Sequence, residues 1–279
     1  MPQLHEIFTI ANKTVLITGA TGFFGRYMAK AFLEVGARVI LMARKEDALE
    51  SQIAAYRNTF GEGKAAGYVV DFYDHEKLGQ TLQDIVASRE IDVAVNNAYD
   101  LSEKTGFNST EGTLENTTYE TWLHAFESGI YWAVLTTQIV GREMKKKRTG
   151  SIINISSMYG GVVAPNPALY EGKPFFNPPT YSVQKSGIVA LTQYTASFWG
   201  QYGIRCNAIA PGPFSNTETD TSNSVDRSDP FLERLKQKTA LGRLGHPNDL
   251  RGALIYLASD ASSYVTGHTL VIDGGWTIT

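Results

Sequence analysis

The sequence predicts an α/β protein in which parallel strands alternate with helices that cover both faces of one sheet. Three observations carry this. Short β-branched apolar runs recur along the chain, most of them followed by a segment of helical apolar period. The first run passes through Gly19-Ala-Thr-Gly22-Phe-Phe-Gly25 into a helix. That order sets backbone N–H groups and a helix N-terminus against a pyrophosphate. Finally, Gly19, Arg44, Asp71 and Asn97 all fall at the carboxyl ends of predicted strands, where such sheets bind their ligands.

A short arm, residues 1–12, precedes the first strand, Thr14 to Thr18. The helix after the glycine turn is expected to bury Tyr27, Met28, Ala31 and Phe32. The second strand, Arg38 to Met42, ends in Ala43, Arg44 and Lys45. An acid there would grip a ribose 2′-hydroxyl, whereas these cations suit a 2′-phosphate, so NADP(H) is favoured over NAD(H). The same two cations also suit an ordinary solvated loop. Further strands read at Ala66 to Val70, before Asp71, and at Ile91 to Val95, before Asn96, Asn97 and Ala98; a polar helix from Asp74 to Ser88 separates them. Residues 99–118 are polar with no apolar period, and a loop of that length is more often functional than idle. One helix is expected over Tyr119 to Lys147, apolar at Trp122, Ala125, Phe126, Ile130 and Val140 among others. Its closing Lys145-Lys-Lys-Arg148 complements the helix dipole rather than marking a nucleic-acid patch.

The next strand, Ser151 to Ile155, delivers Ser156 and Ser157. Residues 161–179 then hold Pro165, Pro167, Pro174, Pro178 and Pro179, which predicts a stiff, irregular loop where a substrate has to fit. A buried helix is expected over Ser182 to Phe198, with Ile188, Leu191, Tyr194, Thr195 and Phe198 on its apolar face. A strand from Ile204 to Ile209 feeds Pro211-Gly-Pro213. Residues 215–229, nearly all Ser, Thr, Asn and Asp, have the composition of a lid that orders over ligand, and equally of a tolerated surface loop. Helices near Phe231 to Thr239 and Pro247 to Ser259 and a strand from Thr269 to Ile272 complete a single domain over 1–279.

The chemistry centres on Tyr181-Ser-Val-Gln-Lys185, where a phenol and an ammonium four residues apart share one helical face. A phenol titrating near ~10 is a poor acid or base at neutral pH, and an adjacent ammonium favours its ionised form. The pattern is short, so its weight comes from the residues upstream.

Composition narrows the field. A net charge of −3 without large blocks of either sign marks neither a nucleic-acid binder nor a membrane-surface protein. Cys206 is the only cysteine, which excludes an intrachain disulfide and fits a reducing compartment. No leader is recognisable and no apolar run approaches the roughly 18 residues of a membrane span, so a cytoplasmic protein is expected. His5, His75, His124, His246 and His268 are scattered without metal-ligand spacing, and no metal is expected.

From about Lys13 to the C-terminus the chain resembles the short-chain dehydrogenase/reductase family, in its shorter one-domain subclass. The match rests on the glycine turn at 18–25, Asp71, Asn96-Asn-Ala98, Ser157, Tyr181 with Lys185, Pro211-Gly-Pro213, and Tyr264-Val-Thr-Gly267 to Asp273-Gly-Gly275. The resemblance implies a seven-stranded, doubly wound Rossmann-like sheet that binds a nicotinamide cofactor and exchanges hydride with a carbonyl or alcohol. By that carry-over Tyr181 is the general acid or base, Lys185 lowers its pKa and holds the nicotinamide ribose, and Ser157 bonds the substrate oxygen. Gly19, Thr21, Gly22, Phe24 and Gly25 would form the cofactor's phosphate turn. Asp71 would meet the adenine, Asn97 and Ala98 line the cleft, and Pro211, Gly212 and Phe214 meet the carboxamide. Homotetramers or homodimers through the 119–147 and 181–199 helices are implied as well.

The departures from the family pattern matter. The middle glycine of the turn is displaced, and Tyr99 stands where a glycine usually follows Asn-Asn-Ala. Gly129 occupies the position of the family's helix asparagine, which leaves no side chain there for a proton relay. The gap from Ser157 to Tyr181 is long, so the proline-rich loop reads as an insertion beside the substrate. Tyr99, Tyr159 and Tyr170, with Asn166, Asn177 and Asn216, suit a polyhydroxylated substrate. The Tyr-Gly-Gly-Val-Val-Ala-Pro stretch is similar to short-chain oxidoreductases of surface-glycan and flagellin-sugar pathways. An acyl-carrier ketoreductase, a general alcohol dehydrogenase and a cofactor-binding regulator without turnover remain open as alternatives.

Overall fold

Five consecutive buried residues make β1 (Thr14–Thr18), the strand from which a computed structural model of the chain, describing residues 3–215 and 229–279, is built outward. A short helix, α1 (Leu4–Ile7), precedes it, and α2 (Gly25–Glu34), β2 (Arg38–Ala43), α3 (Glu46–Phe60), β3 (Ala65–Val69), α4 (His75–Ser88) and β4 (Val93–Asn96) follow. Then come α5 (Tyr119–Phe126), α6 (Trp132–Lys147), β5 (Gly150–Ile155), α7 (Pro179–Trp199), β6 (Ile204–Pro211), α8 (Pro230–Gln237), α9 (Arg251–Ala258) and β7 (Thr269–Ile272). The described strands form one parallel sheet in the order β3-β2-β1-β4-β5-β6-β7. The order reverses between β1 and β4, and a crevice opens beyond the carboxyl ends of those two strands.

Both faces of the sheet are covered. On one, Met28 and Phe32 of α2, Leu49 of α3 and Leu254 and Leu257 of α9 pack on Val15, Ile17, Val39 and Leu41. On the other, Leu78, Leu82 and Ile85 of α4, Trp132, Val140 and Met144 of α6 and Ala196 of α7 pack on Leu16, Ile40, Ala94 and Ile152. A buried polar thread crosses the second layer. Asn96 donates through Nδ2 to Asn154 Oδ1 (2.8 Å) and Thr137 Oγ1 (3.1 Å), and Asn154 Nδ2 donates to Thr192 Oγ1 (2.8 Å).

β1 and β7 fall at the expected residues, the other strand limits shift by a residue or two, and three helical details differ more. The helix expected over 119–147 is interrupted by a π turn, Glu127–Tyr131, between α5 and α6. The expected apolar face of α7 is also mistaken in part: Ile188 and Thr195 are buried, but Tyr194 and Phe198 are exposed and stack on one another at 4.4 Å. The buried face is instead Gln184, Lys185, Ile188, Thr192, Thr195 and Ala196, and two of its polar groups, on Lys185 and Thr192, find partners in the sheet. Tyr27 is only half-buried, its ring edge-on to His246 at 5.3 Å. The basic run at 145–148 is structural: Lys147 pairs with Asp92 (3.3 Å), and Lys145 lies over the Tyr202 ring (4.4 Å). Of the expected lid, residues 216–228, Asn216 included, lie outside the described residues. Among the described residues no helix is long and apolar enough to cross a membrane.

Candidate active site

The floor of the crevice is a tether between two strand ends. Thr18 Oγ1 accepts from the amides of Asn97 (3.0 Å) and Ala98 (3.1 Å), while Asn97 Nδ2 donates to the carbonyls of Thr18 (3.0 Å) and Gly19 (3.1 Å). Gly19 sits at φ +66°, and a Cβ there would lie 2.9 Å from Ala98 Cα, so only glycine fits this approach. Above the tether is a cleft of about 270 Å³, lined by Gly19, Thr21, Gly22, Phe24, Arg44, Asn97, Ala98, Tyr99, Tyr181 and Lys185 from the sequence reading. Lys45 lines it too, along with Phe72, Leu101, Trp132, Ile155 and Ser156, which sequence reasoning missed. Phe72 and Trp132 pair at 5.2 Å, and the signal for Phe72 was its place directly after Asp71 at a strand end.

The other sequence-predicted cofactor residues, Gly25, Asp71, Pro211, Gly212 and Phe214, are not among those lining this cleft. Gly25 opens α2, and Asp71 is exposed beyond β3 with its Oδ1 accepting the Tyr73 amide (3.1 Å). Pro211 ends β6, Gly212 donates to Ile272 O (2.9 Å), and Phe214 meets Phe24 edge-on at 5.4 Å. Arg44, half exposed, points its Nη2 at Asp100 Oδ1 (3.9 Å). Asp100 is itself buried, accepting from the Tyr73 hydroxyl (2.9 Å) and the Ser102 amide (3.1 Å).

Tyr181 and Lys185 come from the first turns of α7, which Pro179 starts without loss of a helical donor. Lys185 is 6% exposed; its Nζ donates to Ile155 O (2.8 Å) and lies 5.6 Å from the centre of the Tyr181 ring. Burial pushes the lysine down to about 8. Burial also pushes the Tyr181 phenol up, against a lowering hydrogen bond from Ser157. The lowering of the phenol by Lys185 that the resemblance implies is not among the causes acting here, and desolvation dominates. The two serines differ: Ser156 lines the cleft and its Oγ donates to the backbone carbonyl of Lys185 (2.8 Å), whereas Ser157 Oγ accepts the Tyr159 amide (3.2 Å) and acts on the Tyr181 phenol.

The proline-rich insertion folds into an aromatic cluster. Tyr159 and Tyr170, each less than a tenth exposed, pack with Met158, Leu169 and Trp276, and Tyr181 borders them. The expectation of a polar, substrate-facing loop gives way to a largely apolar one, since prolines leave few backbone donors and the aromatic rings find each other. Asn166 is a turn residue, its Oδ1 accepting the Ala168 amide (3.0 Å). The insertion is strapped to α8: Arg234 donates to Leu169 O (2.9 Å) and Glu171 O (2.7 Å), and Lys173 pairs with Asp229 (2.5 Å).

Gly129 lies buried in the π turn, facing α7. A Cβ at this position would be 2.6 Å from Gln184 Cβ and 3.1 Å from Tyr99 Cε2. Tyr99 and Gln184 thus take the room a side chain at 129 would use. Among the described residues no group of three His, Cys, Asp or Glu side chains is placed to hold a metal ion. Cys206 is buried, its thiol pushed up to about 12 by desolvation.

Comparison with known proteins accords with this geometry. The family described as enoyl-(acyl carrier protein) reductase matches residues 19–277. The chain is 31% identical to the 2-dehydro-3-deoxy-D-gluconate 5-dehydrogenase of Bacillus subtilis, over 99% of each chain. It is 34% identical to the L-rhamnose 1-dehydrogenase (NAD(P)(+)) of Azotobacter vinelandii, over 95% of this chain and 97% of that one. Among solved structures, a gluconate 5-dehydrogenase of Burkholderia cenocepacia in complex with NADP and tartrate superposes with a TM-score of 0.82 at 27% identity, over 99% of this chain and 100% of that one. With the parallel sheet, the glycine turn and the Tyr181–Lys185 pair, these matches place the chain in the short-chain dehydrogenase/reductase family, as an NAD(P)-dependent oxidoreductase acting on alcohols.

Proposed function

We propose that the protein exchanges hydride between NADP(H) and a secondary alcohol or ketone on a small polyhydroxylated substrate, a sugar, sugar acid or polyol. The observation that carries this reading is that one cleft is lined by Tyr181 and Lys185 together with the glycine turn, Arg44 and Lys45, with Ser157 acting on Tyr181 from outside the lining. The names of the relatives, which carry 2-dehydro-3-deoxy-D-gluconate, L-rhamnose and gluconate, support the substrate class.

The residues present suit a dinucleotide. Gly19, Thr21, Gly22, Phe24 and Gly25 offer a close backbone approach and a helix N-terminus for the pyrophosphate, and Arg44 offers a guanidinium for a 2′-phosphate. Asp71 would serve the adenine, Asn97 and Ala98 the middle of the cleft, and Pro211, Gly212 and Phe214 the carboxamide. When bound, the nicotinamide supplies or takes the hydride. In reduction Tyr181 gives its phenolic proton to the carbonyl oxygen while Ser157 donates a hydrogen bond to that oxygen. The ammonium of Lys185 stabilises the phenolate left behind. In oxidation the ionised phenol takes the hydroxyl proton, so that direction gains rate as pH rises. Tyr99 lines the cleft beside Tyr181, and Tyr159 and Tyr170 pack behind Tyr181. The chain works as a single cytoplasmic domain, and the exposed Tyr194–Phe198 stack and Phe126 favour a homodimer or homotetramer.

The test is NADPH and NADH binding by fluorescence, then cofactor oxidation with a panel of keto-sugars and small ketones, for wild type and Tyr181→Phe. The variant is expected to bind cofactor normally and to lose turnover by about 10²–10⁴-fold. Tight binding with no turnover in either protein would replace this reading with that of a cofactor-binding regulator.

A further inference from the structure

The ammonium of Lys185 has three donors, and Ile155 O takes one of them. What it faces otherwise is aromatic: its Nζ lies 4.9 Å from the centre of the Tyr99 ring, closer than to that of Tyr181. A desolvated ammonium at that range is attracted by the ring quadrupole. Burial lowers the titration of this lysine, and among the described residues no carboxylate forms an ion pair with it. The titratable groups around it are Tyr99, from the loop after β4, and Tyr181 on its own helix; Tyr159 acts on Tyr181, and Asp100 acts on Tyr99.

The Tyr99 ring is held on several sides. Its edges meet Tyr181 at 5.5 Å and 80° and Phe107 at 6.0 Å and 79°. On the helix side it abuts Gly129, where any larger residue would push on it and on Gln184. The next residue in the chain, Asp100, is anchored by Tyr73 and Ser102. The two departures at 99 and 129 are therefore one arrangement: the π turn gives up a side chain, and an aromatic ring fills the room against the lysine.

On the dehydrogenase reading above, we propose that Tyr99 is a positioning residue whose ring face holds the Lys185 ammonium in its charged form beside Tyr181, with Gly129 as the space that admits the ring. The ring, not the hydroxyl, is the active part. Tyr99→Phe and Tyr99→Leu therefore separate, and Tyr99→Met serves as a second ring-free variant should the leucine protein fold poorly.

The experiment titrates Lys185 in the full chain labelled with [ε-¹³C]lysine, its signal assigned by loss in Lys185→Met. In Tyr99→Phe the titration stays with wild type; in the Leu and Met proteins it falls by about one pH unit, a tenfold easier loss of the proton. The alkaline limb of kcat moves down by the same amount. A Leu protein that titrates with wild type, or a Phe protein that falls with Leu, overturns the proposal. This titration needs no substrate, so a shift observed without any turnover would sink the dehydrogenase reading and leave the ring–lysine contact standing.

Discussion

Replacing Lys185 by methionine should make the protein more stable at neutral pH, although it removes a hydrogen bond. Burial takes the lysine from 10.5 to about 8, which corresponds to roughly 3 kcal/mol of cost for keeping its charge inside the fold. Methionine has a similar length and needs no partner, but it loses the Nζ bond to Ile155 O and the ammonium's contact with the Tyr99 ring, each worth about 1 kcal/mol. The net gain near pH 7 is about 1 kcal/mol, or on the order of 2 °C in Tm for a chain of this size. The sign with pH follows from the depressed folded value. Between about 8 and 10.5 the unfolded chain keeps a proton that the folded protein has released, so wild-type stability rises through that window. The methionine protein lacks this rise, and its advantage shrinks toward the alkaline end. Thermal unfolding of both proteins at one protein concentration, from neutral pH to about 10.5, measures the difference. A methionine protein that is the less stable of the two at neutral pH, and runs parallel to wild type throughout, would refute the reasoning.

Two further outcomes follow from the cleft. Gly19→Ala forces a Cβ onto Ala98 at a positive φ, and should cost about 1–3 kcal/mol in urea unfolding and weaken NADPH binding at least roughly tenfold; unchanged cofactor fluorescence would contradict the fit. Arg44→Ser should raise KM for NADPH roughly 10- to 100-fold and leave NADH nearly untouched. An equal loss for both cofactors would mean that Arg44 serves mainly Asp100 and the loop behind it.

Much of this architecture is legible from local pattern. β1 and β7 fall at the expected residues, the other strands within a residue or two, and Gly19, Asn97, Tyr181 and Lys185 converge as strand-end and helix-face logic requires. What escaped depends on neighbours distant in sequence. An apolar period through 119–147 contains no sign that Gln184 and Tyr99 crowd Gly129 and bring a π turn with them. Asp100 reads as one more polar loop residue until Tyr73 and Ser102 close on it. The aromatic content of the insertion was plain in its letters, but a run of prolines gives no period from which to read that Tyr159 and Tyr170 turn inward. Tyr194 and Phe198 kept helical spacing and were taken for core, because spacing identifies a face without saying what covers it.

The thread from Asn96 through Asn154 to Thr192 bears on how the chain finds its fold. Strands buried on both faces are nearly uniform in character, so a sheet sliding by two residues would still bury valines and isoleucines and feel little hydrophobic penalty. Asn96 and Asn154 face each other as register partners, and Thr192 receives the second amide from the helix that bears Tyr181. Any slip strands these amides in a dry interior, at about 1–3 kcal/mol for each. The thread therefore acts as a key cut into an otherwise smooth interface: it rejects misaligned sheets during folding, and by the same contact it sets the height at which the helix bearing Tyr181 and Lys185 comes to rest.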